Sequence, residues 1–550
     1  MLETDVLIIG GGLAAIKACF ECGRSGRRTI LAVQERLCSG SSFYPLTPAL
    51  GCLAPRLDDP GDAAVFMQEI NEASQGMNDP LLGRIYIDEI HDRVAELPDM
   101  GIDVSLQHQN RIACFAKRER ALYVWRDWTQ TRRRIRFALQ AFANVQILEK
   151  TAVLDLLKVD GQVAGAVMVS GKNEEPITIQ AGAVILATGG FGALYKHSLN
   201  TADVDGSGLA MAYQAGAGLT NLEFIQFIPG FLRPRYKVLF GELCLPFCSG
   251  LFAADGREIL SPILPENVIP EQVFSTRGRH GPFTVSDGSQ YFDIAIMNEI
   301  RKTGRDDAVE IRFDRRIMEQ KNDANSGYLT WMSEKMKIDL INDRLSIAPF
   351  AQASNGGIVI DPDGWTGVPG LYAAGEAAGS MHGADRIGGC AAGNCLVFGY
   401  RAAHGALRWI MSNQEKMPVT EVSRQTRERW LADNEKPSPS PAAVMQTIQT
   451  VLWNQASIIR SGSGLTEAEH ELGSLHDQFH TGTCLQRGSG LKETIRATQS
   501  LLLAERLIDA MQQRKESRGA HYRSDYPGTD PGQDRRIIQQ MTGREQPVTG

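Results

Sequence analysis

Residues 5–26, DVLIIGGGLAAIKACFECGRSG, decide the fold of this chain. Residues 5–9 form a short apolar run that is typical of a buried strand, and this run leads into three consecutive glycines. A segment with helical periodicity follows, and the apolar run TILAV at 29–33 predicts a second strand. The pattern therefore predicts a β-α-β unit of about thirty residues at the start of an α/β domain.

The turn between the first strand and the helix carries a dinucleotide-binding fingerprint. Gly10, Gly12 and Ala15 match the spacing G-x-G-x-x-G/A. The first glycine permits the tight turn, the second lets the backbone approach a pyrophosphate, and the small third residue lets the helix pack closely on the strand. Leu13 and Ala14 lie in the same loop, where the positive end of the helix would meet the phosphates. A glycine-rich turn without a ligand is the weaker alternative, because the fingerprint stands between a strand and a helix.

An acidic residue is expected just after the second strand, where it would bind a ribose hydroxyl of the dinucleotide. The sequence there is VQE, so either Gln34 or Glu35 takes this role. The position favours Gln34, a neutral substitute for the usual acid.

The composition bounds the class of protein. The chain has 550 residues, too many for one hydrophobic core, and its 43% apolar and 22% charged content is ordinary for a soluble globular protein. A formal net charge of −7 argues against a nucleic-acid partner. The N-terminus lacks the pattern of a signal peptide, and no apolar run is long enough for a transmembrane helix. Ten cysteines without a secretion signal then predict a cytoplasmic protein with reduced thiols.

Three cysteine pairs raise the question of a redox or metal site. Cys19 and Cys22 in the first helix are best explained by packing, because such a helix needs small apolar side chains. No second pair stands at zinc spacing, so no metal site is predicted. The role of the other two pairs is open; they are Cys244 with Cys248, and Cys390 with Cys395.

Segments along the whole chain resemble one family of flavoproteins. VILATGG at 184–190 is similar to its second flavin-contact motif, and DGSGLAMAYQAGAGLTNLEFIQFIP at 205–229 resembles its T-G-D-G…A-G-A…E-F-x-Q-F-H-P run. Residues 356–403 resemble its G-G-I…G-L-Y-A-x-G-E…H-G-A-N-R segment, and ESRGAHYRSDYP at 516–527 matches its C-terminal signature. The loop SGSSFYPLTPALG at 39–51 is similar to a loop of L-aspartate oxidase. The chain is thereby identified as a member of the succinate dehydrogenase, fumarate reductase and L-aspartate oxidase flavoproteins, nearest in pattern to L-aspartate oxidase.

The resemblance implies an architecture. Residues 1–230 and 346–415 would form a Rossmann-like FAD-binding domain of the α/β class. The insert at 231–345 would be an α+β capping domain that closes over the substrate, and residues 416–550 would form a C-terminal helical domain with a tail.

The resemblance also assigns residues to FAD. Ser41 and Ser42 match the family's loop on the flavin side, and Glu376 matches the acid that binds the ribityl chain. Thr188 and Gly189 match the contact with the adenine half. Members that attach FAD covalently use a histidine in the region equivalent to 39–51; this chain has none there, so FAD is expected to be bound non-covalently.

Substrate recognition is only partly retained. Arg386, which shares the motif HGADRIGG with His382, matches the family's carboxylate-binding arginine, and Asp385 could pair with it. Two family histidines are replaced, one by Ile228 and one by Gln352. A dicarboxylate in a closed site would lose two partners at a cost of several kcal/mol. The sequence therefore argues against fumarate, succinate or aspartate as the substrate.

The proton-transferring arginine of the family's cap stands in an L-x-x-R-D motif that this chain lacks. The matching stretch, VFSTRGRHGPFTV, offers Arg277, Arg279 or His280 as the acid. Histidine is the side chain best suited to acid–base work near neutrality. A solvated basic loop without a catalytic role is the alternative.

Three functions are compatible with these residues. The first is an FAD-dependent oxidoreductase that moves a hydride between flavin N5 and a C–C or C–N bond of a small, carboxylate-bearing substrate. The second is an electron-transfer subunit that passes electrons to an iron–sulfur partner, and only through such a partner would the chain reach a membrane. The third is a flavin-binding protein without catalysis.

Overall fold

The computed structural model of the chain describes residues 1–107, 111–120, 122–170, 175–319, 323–431, 437–481 and 490–541. The strands are β1 Leu2–Ile9, β2 Thr29–Val33, β3 Leu50–Leu53, β4 Ser105–Leu106, β5 Arg111–Ile112, β6 Glu119–Arg120, β7 Leu122–Trp125, β8 Val145–Glu149, β9 Thr151–Val159, β10 Gln162–Ser170, β11 Glu175–Leu186, β12 Leu219–Thr220, β13 Ile225–Arg233, β14 Val238–Leu239, β15 Cys248–Ala253, β16 Val309–Phe313, β17 Leu345–Ser354, β18 Gly357–Ile358, β19 Leu371–Ala373 and β20 Ile538–Gln539. The α-helices are α1 Leu13–Arg24, α2 Asp62–Ser74, α3 Pro80–Ala95, α4 Trp128–Gln140, α5 Ser207–Ala215, α6 Pro270–Arg277, α7 Gln290–Thr303, α8 Asp323–Thr330, α9 Cys390–Ser412, α10 Thr420–Leu431, α11 Pro441–Gln455, α12 Gly462–Gln478 and α13 Leu491–Gln513.

The predicted β-α-β unit is β1-α1-β2, and it belongs to a seven-stranded sheet. The strand order is β8-β2-β1-β11-β10-β9, and β19 pairs with β11. β1 is parallel to β2 and β11, β2 to β8, and β11 to β19, whereas β9 and β10 are antiparallel. Val6, Leu7 and Ile8 are completely buried, as expected for a parallel strand with both faces covered. This sheet is the Rossmann-like core of the α/β class that the sequence predicts.

The turn from β1 into α1 depends on Gly10. Its φ is +137°, and a Cβ added there would lie 2.1 Å from the carbonyl oxygen of Ala187 on the neighbouring strand connection. The helix begins at Leu13, and its N-cap residue Gly12 has no side chain that could bind the first amides. Cys19 and Cys22 are completely buried in the core beside this helix, consistent with a packing role.

A second, antiparallel sheet carries the cap. Its order is β14-β13-β17-β16-β15, and Ile228 on β13 lies opposite Phe350 on β17. β14, β15 and β16 come from the insert at 231–345, together with α6, α7 and α8. β13 runs past position 230 to Arg233, and β17 begins at Leu345, so both predicted borders of the insert fall on these two paired strands. The division into three domains at these positions stays a prediction.

The C-terminal region is helical. α11 and α12 pack against each other and against α13, and α13 also packs against α5 of the first domain. The chain then returns to the body of the protein through β20, which pairs antiparallel with β12. None of the described helices has both the length and the apolarity needed to cross a bilayer.

Gly10→Ala is expected to lower the thermal unfolding midpoint by several degrees, because the new Cβ would overlap Ala187 O. Gly26→Ala is the matched control: its φ is also positive, at +73°, but no atom lies within 4 Å of the added Cβ. It should cost only the backbone strain of about 1–2 kcal/mol. Melting curves recorded without added ligand measure both effects, and equal losses in the two variants would contradict the steric explanation.

Candidate functional site

A cleft with about 930 Å³ of empty space, part of which is open solvent, lies at the carboxyl ends of β1 and β2. Most of the residues predicted to bind a cofactor line it. These are Gly10, Gly12, Leu13, Ala14, Gln34, Ser41, Ser42, Thr188, Gly189 and Glu376. Ala15 is completely buried under the loop, where it allows close packing, and Glu35 is outside the lining, so the geometry favours Gln34 over Glu35 at the end of β2.

The cavity has the form that a dinucleotide requires. The start of α1 carries no acidic side chain in its first turn, so its amides and positive end are open to a pyrophosphate. The Leu13 amide points toward Ser42 Oγ at 3.4 Å, and a Cβ added to Gly12 would lie 3.7 Å from the same oxygen. Backbone and loop thus leave a narrow space that a larger side chain at Gly12 would occupy. The residues present fit FAD.

Glu376 lines the cavity beside the end of β17. Its Oε1 accepts hydrogen bonds from the backbone amide of Ser354 at 2.9 Å and from Ser354 Oγ at 3.2 Å. Burial raises the pKa of this carboxyl, and the Ser354 amide partly offsets the effect. The carboxylate is therefore held by β17 in a fixed orientation at the cavity.

Arg386 lies between β13 and β17. Its Nε and Nη2 donate to Gln226 Oε1 at 3.1 and 2.8 Å, and Nη2 lies 3.5 Å from Gln352 Oε1. Burial lowers the pKa of this guanidinium, although Glu376 opposes the effect. Its hydrogen-bond partners are neutral amides, so among the described residues no direct ion pair neutralises it. We call Gln226, Ile228, Gln352 and Arg386 the Arg386 wall.

His382 stands beside this wall as a neutral side chain. It is 8% exposed, and its Nε2 has no hydrogen-bond partner among the described residues. Burial and the nearby charge of Arg386 lower its pKa well below the usual 6.5. His382 can thus offer a hydrogen bond but no positive charge near neutral pH.

The expected pairing of Asp385 with Arg386 is not formed. The Asp385 carboxylate instead accepts from Thr284 Oγ1 at 2.7 Å, and from Ser286 Oγ and Gln75 Nε2 at 3.3 Å each. All three donors bind Oδ2, which turns the carboxylate away from the guanidinium, and Oδ1 has no hydrogen-bond partner among the described residues. Burial raises the pKa of this carboxyl to about 7.

Arg277, one of the three candidate acids, is bound within the cap by its own hydrogen bonds. Its side chain is completely buried, and Nε donates to Asp293 at 2.8 Å. Nη1 donates to the carbonyl oxygens of His280 and Gly281, at 2.6 Å each. Since these donors are all directed into the cap, Arg277 fixes the turn at 280–281. Arg279, the second candidate, is exposed to solvent, where no closed site surrounds it.

His280, the third candidate, lies in the closed part of the cap. Its ring stacks on Phe115 with centroids 4.8 Å apart. Nδ1 lies 2.8 Å from the carbonyl oxygen of Pro282 and Nε2 lies 3.2 Å from Asp287 Oδ2, so both ring nitrogens face acceptors. Burial opposes ionisation of Asp287, but its contacts with His280 hold the pKa of this carboxyl at about 2.

The cap meets the Arg386 wall at Gly281. Its amide donates to Cys114 Sγ at 3.3 Å, and a Cβ added there would lie 3.7 Å from Ile228 Cγ2 and 3.6 Å from Glu242 Oε2. Sequence reasoning missed Cys114 and Glu242, because each stands in a segment without a motif. Gln226 was also missed, although the E-F-x-Q-F frame contains it.

The cysteines show no reactive pair within the described residues, which exclude Cys484. Burial raises the pKa of Cys390 and Cys395 to about 12, and Cys395 lines the cofactor cavity. Burial also raises the pKa of the Cys244 and Cys248 thiols to about 12. Across the described ranges, no group of three His, Cys, Asp or Glu side chains is arranged to hold a metal ion.

Comparison with known proteins supplies the family. Residues 5–391 match the FAD binding domain family, and residues 445–540 match the family described as fumarate reductase flavoprotein C-term. A subunit of the fumarate reductase (CoM/CoB) of Methanothermobacter marburgensis is 28% identical, over 98% of this chain and 97% of that protein. The L-aspartate oxidase of Streptomyces coelicolor is 27% identical, over 98% of this chain and 91% of that protein.

Solved structures agree with the sequence relatives. Sdh1 of Mycobacterium smegmatis, in complex with UQ1, superposes with a TM-score of 0.83 at 26% identity, over 99% of this chain and 92% of that one. The matched families, the cavity and the fold together make FAD the cofactor. The chain belongs to the FAD-dependent oxidoreductase family that includes the fumarate reductase and succinate dehydrogenase flavoproteins and L-aspartate oxidase.

Proposed function

We propose that the protein oxidises or reduces a C–C or C–N bond of a small molecule that carries one carboxylate, and that this substrate is not fumarate, succinate or aspartate. The observation that carries the proposal is the Arg386 wall, where one half-buried guanidinium is held by the neutral amides of Gln226 and Gln352. A half-buried cation with no ionic partner among the described residues favours an anionic ligand. Bound FAD, held non-covalently, would exchange a hydride with that ligand at flavin N5.

The composition of the wall supports a single carboxylate. Arg386 can hold one anionic group by charge-assisted hydrogen bonds. Ile228 presents an apolar surface next to it, and His382 is neutral near pH 7 because its pKa is lowered. A second carboxylate would be buried against these groups without a charged partner, at a cost of several kcal/mol. An apolar or hydroxylated remainder of the substrate fits this surface better.

His280 is the residue we assign to proton transfer. Arg277 holds the backbone of the 280–281 turn, and Asp287 orients the imidazole ring. The neighbouring Gly281 lies against Ile228, which brings this part of the cap to the Arg386 wall. Histidine is a side chain that commonly acts as a general acid or base in enzymes.

A second candidate function is an electron-transfer flavoprotein subunit with an iron–sulfur partner. The names of relatives favour it, because two of them are named as parts of larger enzymes. One is the fumarate reductase (CoM/CoB) subunit, and the other, from Mycobacterium tuberculosis and 26% identical, is a fumarate reductase flavoprotein subunit. Co-purification with a small Cys-rich protein would support this role. Rapid reoxidation of the isolated reduced protein by oxygen would support an independent oxidase.

Arg386→Ala should abolish the shift of the flavin absorption spectrum that a small monocarboxylate induces in the wild-type protein. Loss of a charge-assisted contact predicts at least about a tenfold weaker binding. Arg408→Ala is the matched control, because Arg408 lies on the following helix, 57% exposed, in a surface ion pair with Asp363. Fumarate, succinate and aspartate are the comparison ligands; tighter binding of any of them than of the monocarboxylates would overturn the substrate assignment.

His280→Gln should lower turnover at least about tenfold while the ligand-induced spectral shift remains, because a proton donor is lost and the carboxylate contact is kept. Turnover is measured with the most active compound from a panel of unsaturated acids and amines. His470→Gln, on the exposed face of α12, is the control and should retain full activity. Unchanged turnover in His280→Gln would remove this residue from the mechanism.

Asp385→Asn should stabilise the protein more strongly at pH 8 than at pH 5. The folded-state pKa of Asp385 is about 7 against an ordinary 3.8, so its stabilising contribution is complete below about pH 4 and is progressively lost as the pH rises from 4 through 7. The full difference corresponds to roughly 4 kcal/mol. Unfolding midpoints at the two pH values test this, with exposed Asp103→Asn as the control. A pH-independent difference would contradict the raised pKa.

A further inference from the structure

One wall of the FAD cavity comes from the C-terminal region of the chain. Lys492, Ile495, Arg496 and Gln499 of α13 line the same cavity as Gly12. Lys492 and Arg496 are four residues apart, as are Ile495 and Gln499, so both pairs lie on one face of the helix. The sequence analysis assigned cofactor-binding residues only before position 416. It therefore included none of these four residues of α13.

Contacts with Lys150 and with β9 locate this helix along the cavity. Lys492 Nζ donates to the carbonyl oxygen of Lys150 at 2.8 Å, and the Lys150 amide donates to the carbonyl oxygen of Glu35 at 2.9 Å. Glu35 follows Gln34 at the end of β2, where a dinucleotide fold holds the adenosine ribose. Gln499 Nε2 contacts the carbonyl oxygen of Leu154 at 3.3 Å, further along β9. α13 therefore faces the adenosine half of the cofactor.

Two cations and two acids line this end of the cavity. Arg496 Nε lies 2.8 Å from Asp205 Oδ2, yet neither atom makes a hydrogen bond to another described residue. Asp205 is 1% exposed and burial raises the pKa of its carboxyl, which Arg496 partly offsets. The neutral Gln34 stands where an acid is usual, so the end of β2 adds no further negative charge to Asp203 and Asp205, which line the cavity with Lys492 and Arg496.

We propose that α13 is part of the FAD-binding site, with Arg496 and Lys492 binding the adenosine diphosphate half, so that FAD binding and docking of the C-terminal helices stabilise each other. Both cations line the cavity that would hold the cofactor, and the guanidinium of Arg496 has further N–H donors besides the Nε that faces Asp205. Because α13 packs on α11, α12 and α5, a ligand held by α13 also holds the C-terminal helices on the first domain. The inference rests on the cofactor and not on the identity of the substrate.

The first test compares FAD with FMN, which lacks the adenosine monophosphate half. Apo-protein is titrated with each flavin, and binding is followed by quenching of flavin fluorescence. Arg496→Ala should weaken FAD binding about tenfold or more and leave FMN binding within about twofold. Arg496→Lys should restore part of the loss. Lys515→Ala, an exposed cation just beyond the other end of α13, is the control and should match wild type for both flavins.

Two outcomes would overturn the proposal. One is wild-type affinity for FAD in the double variant Lys492→Ala/Arg496→Ala. The other is an equal loss for FAD and FMN, which would show general damage to the fold instead of a lost contact with the adenosine half.

A second measurement works on the unchanged chain. ADP added to apo-protein should slow hydrogen exchange of the amides in 491–513 as well as in the turn at 10–15, because both would contact the ligand. Protection of the turn alone would refute a role for α13. Neither measurement depends on turnover. A failure of the proposal for α13 is therefore distinguishable from a failure of the proposed oxidoreductase reaction.

Discussion

A buried ionic network joins the C-terminal segment to the strand that carries the Arg386 wall. Arg514 Nε donates to Glu223 Oε1 at 2.6 Å, and Glu516 Oε1 accepts from Arg514 Nη1 at 2.9 Å and from Arg518 Nε at 2.8 Å. Glu223 and Glu516 are completely buried. Removing one partner from such a network typically costs about 3–5 kcal/mol, because the remaining charge stays buried. Glu223 stands just before β13, so the position of Gln226 and Ile228 depends on residues about three hundred positions later in the chain.

Arg460 extends this network into the helical region. Its Nη1 donates to the carbonyl oxygen of Glu223 at 2.7 Å, and its Nε donates to the carbonyl oxygen of Ser457 at 3.0 Å. Burial lowers the pKa of Arg460 to about 10. The C-terminal signature ESRGAHYRSDYP is therefore explained by its contacts: it supplies charged side chains to one buried site that unites the helical region with the substrate side.

What the sequence predicts well is local. Gly10 and Gly12 act within one turn, and the alternation of strand and helix around them is enough to predict the Rossmann-like sheet. The resemblance to the family adds the order of the segments and places Ser41, Thr188 and Glu376 at the cavity.

What the sequence does not predict are partners brought together by the fold. Arg277 is a plausible acid in the sequence, and only the position of Asp293 on α7 shows that its charge is already used. Asp385 likewise meets Thr284 of the cap and not its chain neighbour Arg386. Lys492 and Cys114 reach their sites from segments without motifs, so their chemistry depends entirely on long-range packing.

The pairing of β13 with β17 has a mechanical consequence. The chain enters the cap through one of these strands and leaves it through the other, and the two are hydrogen-bonded neighbours along most of their length. Two separate loops would leave the orientation of the cap unconstrained. A pair of hydrogen-bonded strands lets the cap move only if the strand pair bends. Bending normal to the sheet is soft, but shear within the sheet would break hydrogen bonds. Any movement of the insert at 231–345 relative to the first domain would therefore bend the two strands that hold Arg386.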